Sequence, residues 1–376
     1  MPNKNQAQPI SLGTIYEKNI NFLIGSGASD GIAPTLALEI RQADGQTPHT
    51  FETLGKCFEE YGRHDLMSLL LMHYYVECIS PILTFDYGAS DRAQREVIEQ
   101  YKKFLSTIQV LLSKKRNHKQ CNIFTTNYDD CFVQAIEQLY REGKFDTNLN
   151  DGAKGFSKKY LSVRNFNTVQ YETSPFRQHK TEIAQINLVH LHGSVFWRKE
   201  NELTISVDYR NRTDEINLES IYEESLLNLK SLIMNKNTRR EEFSKLQVSS
   251  EVIDPFISQY HKLPIVNPTK WKFHETVFEE HYYQMLRYMS YELEKENSVL
   301  IVFGFSFSDE HILNIIKRSL ANPFLKVFIC CFTKQEEVAI RSKFPESNSI
   351  HYISLPSASL DFEAFNKYIF NEKPKE

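Results

Sequence analysis

The sequence predicts an α/β protein: a parallel sheet with helices on both faces, joined to a helical insertion module. Two observations predict it. Short apolar, strand-like runs alternate with stretches of helical periodicity, and several of those runs stop abruptly at polar or glycine-bearing turns, as the strands of βαβ units do.

The first strand is Ile20-Asn21-Phe22-Leu23-Ile24, which runs into Gly25-Ser26-Gly27-Ala28-Ser29. From about Thr50 to Ser113 apolar residues recur at helical spacing, in Leu66 to Leu71 and again in Phe104 to Leu112, so this stretch is a helical insertion. The basic run Lys114 to Lys119, a solvated turn, precedes a second strand, Cys121 to Phe124, that ends in Thr125-Thr126-Asn127-Tyr128-Asp129. A helix near Phe132 to Tyr140 follows. Residues 146 to 185 are polar and irregular before a third strand, Ile186 to Leu191, reaches His192-Gly193-Ser194. Residues 201 to 261 have mixed charge and weak periodicity and form a second, variable insertion. Regularity returns with Leu263 to Pro268, an amphipathic helix through Tyr282 to Leu293, and the strongest strand, Val299 to Phe303, which opens into Gly304-Phe305-Ser306-Phe307-Ser308-Asp309. A helix with Ile312, Ile315, Ile316 and Leu320 on one face, the strand Lys326 to Phe332, a further helix and the strand His351 to Ser354 complete the pattern.

The chain has 376 residues, room for one large domain with insertions or two ordinary ones. Lys and Arg total 44 against 48 for Asp and Glu, a net charge of −4, which supports neither a nucleic-acid coat nor an acidic tail. Most of the six cysteines sit in apolar segments, as reduced thiols do in a reducing compartment. There are no C-x-x-C pairs, so no zinc ribbon and no structural zinc are expected. The polar start, Met1 to Ser11, has no apolar signal core, and no stretch approaches the roughly 20 apolar residues of a membrane span. A soluble, cytoplasmic protein is expected.

In an open parallel sheet, ligands bind beyond the carboxyl ends of the strands, so four junctions carry the functional argument. At Gly25-Ser26-Gly27 the backbone could approach a pyrophosphate and offer it amides. The spacing is not G-x-G-x-x-G, because the next glycine is Gly31, and a plain tight turn explains the tripeptide equally well. Thr126 and Asp129 can form a capping box for the next helix; Asn127 is left over, able to position a ribose hydroxyl or a water, or to serve as a satisfied loop amide. His190 and His192 face the same side of their strand. No third metal ligand lies nearby, and His192, beside Gly193, is the better candidate for proton transfer. At the fourth junction Asp309 can cap a helix, while Gly304 and Ser306 can accept the adenosine side of a dinucleotide. No G-x-S-x-G, Walker loop or H-E-x-x-H is present.

Taken in order, Gly25-Ser26-Gly27-Ala28-Ser29, Thr125-Thr126-Asn127-Tyr128-Asp129, His190-Leu191-His192-Gly193-Ser194 and Val302-Phe303-Gly304-Phe305-Ser306 resemble the four signature blocks of the sirtuin superfamily. With Pro268-Thr269-Lys270 and the continuation to His311, the chain looks most like the sirtuin-like domains of bacterial anti-phage defence systems. The resemblance implies a Rossmann-like NAD-binding domain over residues 1–31, 117–200 and 262–376, with the helical insertion at 32–116 and the variable one at 201–261. It implies that Asn127 and His192 are catalytic. Gly25, Ser26, Gly27 and Ser29 would line the phosphate side of NAD, Gly304 and Ser306 the adenosine side, Asp129 would touch the nicotinamide ribose or serve structure, and Asp309 would join the cofactor contacts. The zinc cysteines of deacylating sirtuins are missing.

The resulting expectation is an NAD glycohydrolase that releases nicotinamide and ADP-ribose and depletes NAD in antiviral defence. Asn127 would hold the water or a ribose hydroxyl, and His192 would act as general base or hydroxyl anchor. Two alternatives stand beside it: a protein deacylase or ADP-ribosyltransferase, which needs a protein acceptor, and a non-catalytic module that senses NAD or ADP-ribose. Unrestrained loss of NAD would poison the host, so control in trans is expected, by homo-oligomerisation and, on the resemblance, by a HerA-like ATPase partner. No direct nucleic-acid binding is expected.

Overall fold

Seven runs of residues become strands of one sheet: β1 Asn19–Ile24, β2 Gln120–Thr125, β3 Asn148–Asn150, β4 Gln185–His190, β5 Ser298–Phe303, β6 Lys326–Cys330 and β7 Ile350–Ile353. Their order is β7-β6-β5-β1-β2-β4-β3, with every neighbouring pair parallel. The structure, a computed structural model, describes residues 10–33, 38–173, 180–201, 204–210, 216, 224–246, 250–266 and 276–371. The Pro268-Thr269-Lys270 motif lies outside the described residues.

The longer helices, in chain order, are α1 Phe51–Glu60, α2 His64–Tyr74, α3 Arg92–Ser113, α4 Cys131–Arg141, α5 Glu224–Ile233, α6 Ser250–Tyr260, α7 Thr276–Glu294, α8 Glu310–Ser319 and α9 Lys334–Arg341. Alternation along the strands sends Phe22, Ile24 and Ile123 to one face, under α3, α4 and the C-terminal Phe362, Phe365 and Phe370. Leu23, Phe124, Val189 and Val302 go to the other, under α7 and α8. Both faces are covered, the arrangement that a parallel sheet requires and that the sequence predicts: an α/β, Rossmann-like fold. Cys330 joins the first core and Cys331 the second, as neighbours on a strand must.

Helix α3 shows why the local sequence folds as it does. Asp91 accepts the Gln94 N–H at 2.8 Å while Gln94 Oε1 accepts the Asp91 N–H at 3.0 Å, a capping box. Ile98, Tyr101, Leu105, Ile108 and Leu112 then make one apolar stripe at spacings of three and four. Although α3 lies within the span read as the helical insertion, that stripe packs on the sheet. The remaining helices of the two insertions share a third core, in which Leu54, Phe58, Leu66 and Leu70 meet Leu229, Phe243 and Phe256. Segments more than 150 residues apart thus form one helical module.

Three expectations need correction. The continuous helical run His64–Leu83 is long and apolar enough to cross a membrane by length and composition, contrary to the sequence reading. Most of its apolar window is buried inside the protein, because α5 and α6 cover it. The basic run is not wholly solvated either: Lys115 is buried and donates from Nζ to the Lys18 carbonyl at 2.9 Å. In the segment read as irregular, β3 adds the edge of the main sheet, and strands Ala153–Gly155 and Lys159–Leu161 pair beside Thr204–Val207 and Trp197–Asn201 in a small antiparallel sheet.

The short polar strand β3 has a physical cause. Asn21, Asn122, Asn187 and Asn150 stand in register across β1, β2, β4 and β3. Asn122 Nδ2 donates to Asn21 Oδ1 at 2.8 Å, Asn187 Nδ2 to Asn122 Oδ1 at 2.9 Å, and Asn150 Nδ2 to Asn187 Oδ1 at 3.0 Å. Tyr288 of α7 closes the row by donating to Asn122 Oδ1 at 2.9 Å. A slip by one residue would drive these amides into an apolar core, so the ladder pins the register. Replacing Asn187 strands partners on both sides. Asn187→Ala is expected to cost about 3 kcal/mol of stability, read as a lower urea midpoint at unchanged slope; an unaltered midpoint would remove this role.

Candidate active site

The chain passes from β1 to β2 on one side of the sheet, then returns through β5 to the other side of β1. The strand order therefore reverses between β1 and β5, and a crevice opens at their carboxyl ends. Here Gly25 donates its N–H to the Phe303 carbonyl at 3.0 Å and Gly27 to the Gly304 carbonyl at 3.1 Å. A Cβ on Gly25 would lie 2.3 Å from the Gly304 oxygen, one on Gly27 2.9 Å from Gly304 Cα, and one on Gly304 2.9 Å from the Ala28 nitrogen. Gly304 also has a left-handed φ of 66°. Three glycines thus let two strand-end loops touch, backbone to backbone. Just beyond, Phe307 adopts a φ of 57°, costly for an aromatic residue. Lys343 holds that loop, donating from Nζ to the Ser306 and Phe307 carbonyls at 3.0 Å each.

Asn127 follows β2 and is anchored at every polar group but one. Its N–H bonds Thr125 Oγ1 at 3.1 Å, its carbonyl accepts from His190 Nδ1 at 3.1 Å, and its Nδ2 donates to Ser29 Oγ at 3.0 Å. Burial pushes the His190 imidazole below its ordinary range, so it serves there as a neutral donor. Ser29 donates to Asp129 Oδ2 at 2.7 Å, and the other oxygen of Asp129 takes the Cys131 N–H at the head of α4 at 3.0 Å. Only Asn127 Oδ1 is left, a buried acceptor with no partner among the described residues.

His192 follows β4. Val266 donates to its carbonyl at 2.8 Å, and Gly193, with a φ of 80°, turns the chain immediately afterwards. Its Nε2 meets Asp309 Oδ2 at 3.0 Å. Asp309 caps α8 with its other oxygen, accepting from His311 N at 2.8 Å and Ile312 N at 3.1 Å. Because a carboxylate only accepts, Nε2 carries a proton, and in the neutral ring the lone pair is on Nδ1. His190 and His192 therefore have separate partners, and among the described residues no group of His, Cys, Asp and Glu could hold a metal ion.

Two cavities flank the glycine contact. The first, about 350 Å3, is lined by Asn127, Asp129, His192 and Asp309 on the sheet side and by Thr50, Phe51 and Tyr74 of the helical module on the other. The second, about 680 Å3, lies beyond β6 and has Asp30, Glu96, Glu336 and Asp361 in its wall. Ser26, Gly304 and Ser306 border both. The structure thus gathers the sequence candidates at one crevice, with Asn127 and His192 on one cavity. Ser29 and Gly25 stand behind its walls, and Asp309 sits beside His192 on the first cavity. Sequence reasoning missed Lys343, Tyr128 and Tyr101. Tyr128 donates to the Val266 carbonyl at 2.7 Å, and Tyr101 lies 2.7 Å from Ser29 Oγ; Lys343 had no local signal and Tyr101 reads as one more core residue of a helical stripe.

Cys78 also borders the first cavity, but burial and Glu77 push its thiol up to about 12. It offers no thiolate near neutral pH, so the chemistry here falls to the amide, the imidazole and the carboxylates.

Residues 122–238 match the SIR2-like domain. The SIR2-like stretch contains Asn127, Asp129, His190 and His192 and ends before Gly304. The match connects this chain with NAD binding and with NAD-related activity in general. No curated protein matches the chain.

The glycine contact predicts its own failure. Gly304→Ala must move the Gly27 loop and strain its own backbone, so a loss of about 2 kcal/mol or more is expected. Thermal unfolding measures it, and a melting temperature equal to that of the parent chain would mean that the two loops separate freely.

Proposed function

We propose that this protein hydrolyses the bond between nicotinamide and ribose in NAD. The observation that carries the reading is Asn127, which lines the same cavity as His192 and keeps a buried Oδ1 with no partner among the described residues. A buried acceptor without a donor is costly, and a ribose hydroxyl or an attacking water supplies one. The two cavities, which share Ser26, Gly304, Phe305 and Ser306 in their walls, suit the two halves of a dinucleotide, with its pyrophosphate near the glycine contact, where the two loops meet backbone to backbone.

The chemistry asks little of the protein beyond placement and charge. As the bond from ribose C1′ to the pyridinium nitrogen breaks, its electron pair neutralises the nicotinamide, which leaves. The oxocarbenium-like C1′ is attacked by water oxygen, and the water's proton passes to His192 Nδ1. Asp309 fixes that ring by its opposite nitrogen and steadies the imidazolium that forms. Asn127 aligns the water or the ribose. The products are nicotinamide, ADP-ribose and a proton.

Asn127→Ala and His192→Ala are each expected to lower NAD cleavage by about 100-fold or more while the protein stays folded. Chromatography of ADP-ribose after incubation with NAD reads this, and either folded variant working at the parent rate would end the assignment. Product formed only when a protein acceptor is added would instead mark a deacylase or ADP-ribosyltransferase; binding without turnover would mark a sensor.

The carboxylates around the second cavity also predict a choice of substrate. The 2′-phosphate of NADP would add roughly two negative charges beside them. NADP is therefore expected to be cleaved with a kcat/KM about tenfold or more below that of NAD, and equal rates would place the adenosine ribose elsewhere.

A cytoplasmic role in anti-phage defence follows from the same reading, since depletion of NAD stops an infected cell. The chain would then need restraint. We propose homo-oligomers and a separately encoded HerA-like ATPase as its source; light scattering of the pure chain, with its NAD turnover, checks this, and a monomer fully active alone would refute it.

A further inference from the structure

Behind the wall of the first cavity lies a hydroxyl that takes no part in the steps above. Tyr101 projects from α3 and is fully buried, its ring held edge-on by Phe132 at 4.7 Å and by Phe362 at 5.0 Å. Burial pushes its phenol far above the ordinary range, so the hydroxyl keeps its hydrogen. Its oxygen lies 2.7 Å from Ser29 Oγ.

Proton counting fixes every direction in this cluster. Ser29 has one hydrogen and gives it to Asp129 Oδ2, which as a carboxylate oxygen only accepts. Tyr101 must therefore donate to Ser29, and Asn127 Nδ2 donates to the same oxygen. A hydroxyl oxygen has two lone pairs, and both are now filled. The amide of Asn127 is held nitrogen-inward, which leaves Oδ1 as the atom free to act on a ligand.

We propose that Tyr101 is a positioning residue for the cleavage: by saturating Ser29 it locks the orientation of the Asn127 amide. The inference rests on the NAD-cleaving reading. Without the phenol, Ser29 keeps a vacant lone pair in a dry interior, and the Ser29–Asn127 contact loses the constraint that holds it in one geometry. The effect falls on the rate of reaction rather than on the binding of NAD, because Tyr101 itself lies outside both cavities.

Tyr101→Phe keeps the ring and removes the donor. It is expected to lower kcat about tenfold while KM and the calorimetric affinity for ADP-ribose stay within about twofold. Ser29→Ala is expected to lose more, and adding Tyr101→Phe to it is expected to cost clearly less than Tyr101→Phe costs in the parent chain, because Tyr101 then keeps only its direct interaction with the Asn127 side chain. A parent-like kcat in Tyr101→Phe overturns the proposal, as do independent, additive losses in the double variant. Asparagine-selective nitrogen spectra read the positioning without turnover. The Asn127 side-chain NH2 pair, identified by its absence in Asn127→Ala, is expected to exchange slowly in the parent chain and faster in Tyr101→Phe; an unchanged pair overturns the proposal. A parent chain that cleaves no NAD refutes the glycohydrolase reading, while the spectra still decide whether Tyr101 holds the amide.

Discussion

The ends of β1 and β5 approach so closely that the loops beyond them touch through backbone atoms alone. Gly25 and Gly27 hydrogen-bond to the carbonyls of Phe303 and Gly304, and a Cβ at any of the three glycines would collide with the opposite loop. This contact sits where the strand order reverses. It lies between the two cavities, and Ser26, Gly304, Phe305 and Ser306 border both of them. The site has a floor because three glycines let these two turns meet.

The walls come from elsewhere. The helical module contributes Thr50, Phe51 and Tyr74 opposite Asn127 and His192. Its own core joins residues on either side of β2, β3 and β4 in the sequence, so the cavity is complete only when two insertions have met. Helix α3 belongs to the same stretch of chain yet lies against the sheet. It carries Tyr101 to the back of the site and so couples the packing of one sheet face to the polar cluster behind Asn127.

Polar groups in this interior are arranged by the direction of their protons. The row of asparagines across β1, β2, β4 and β3 fixes the register that sets the loops at one level. Farther along the strands, Asp129 accepts from Ser29, Ser29 accepts from Tyr101 and Asn127, and one amide oxygen is left over. Asp309 does the same for His192, leaving one nitrogen lone pair. Both leftovers are acceptors, and both belong to residues on one cavity wall. The protein thus spends acidic side chains to fix the polarity of neutral ones, which is how a site becomes preorganised for a transition state.

The main strands and the helices on their faces were legible in the sequence, because period-two and period-3.6 patterns report burial directly and chain punctuation reports the turns. The placement of Asn127, His192 and Gly304 just beyond strand ends was legible too, since each follows an apolar strand-like run. β3 was not legible, for its asparagines are polar in a buried row whose partners lie on other strands. Nor were the covered run His64–Leu83, the pairing of Asp309 with His192, or the service of Tyr101 to Ser29. Local pattern carries what a residue does to its own segment. Which lone pair each buried donor fills depends on groups about 70 to 120 residues away, as for Tyr101 with Ser29 and Asp309 with His192, and only the packed tertiary structure decides that.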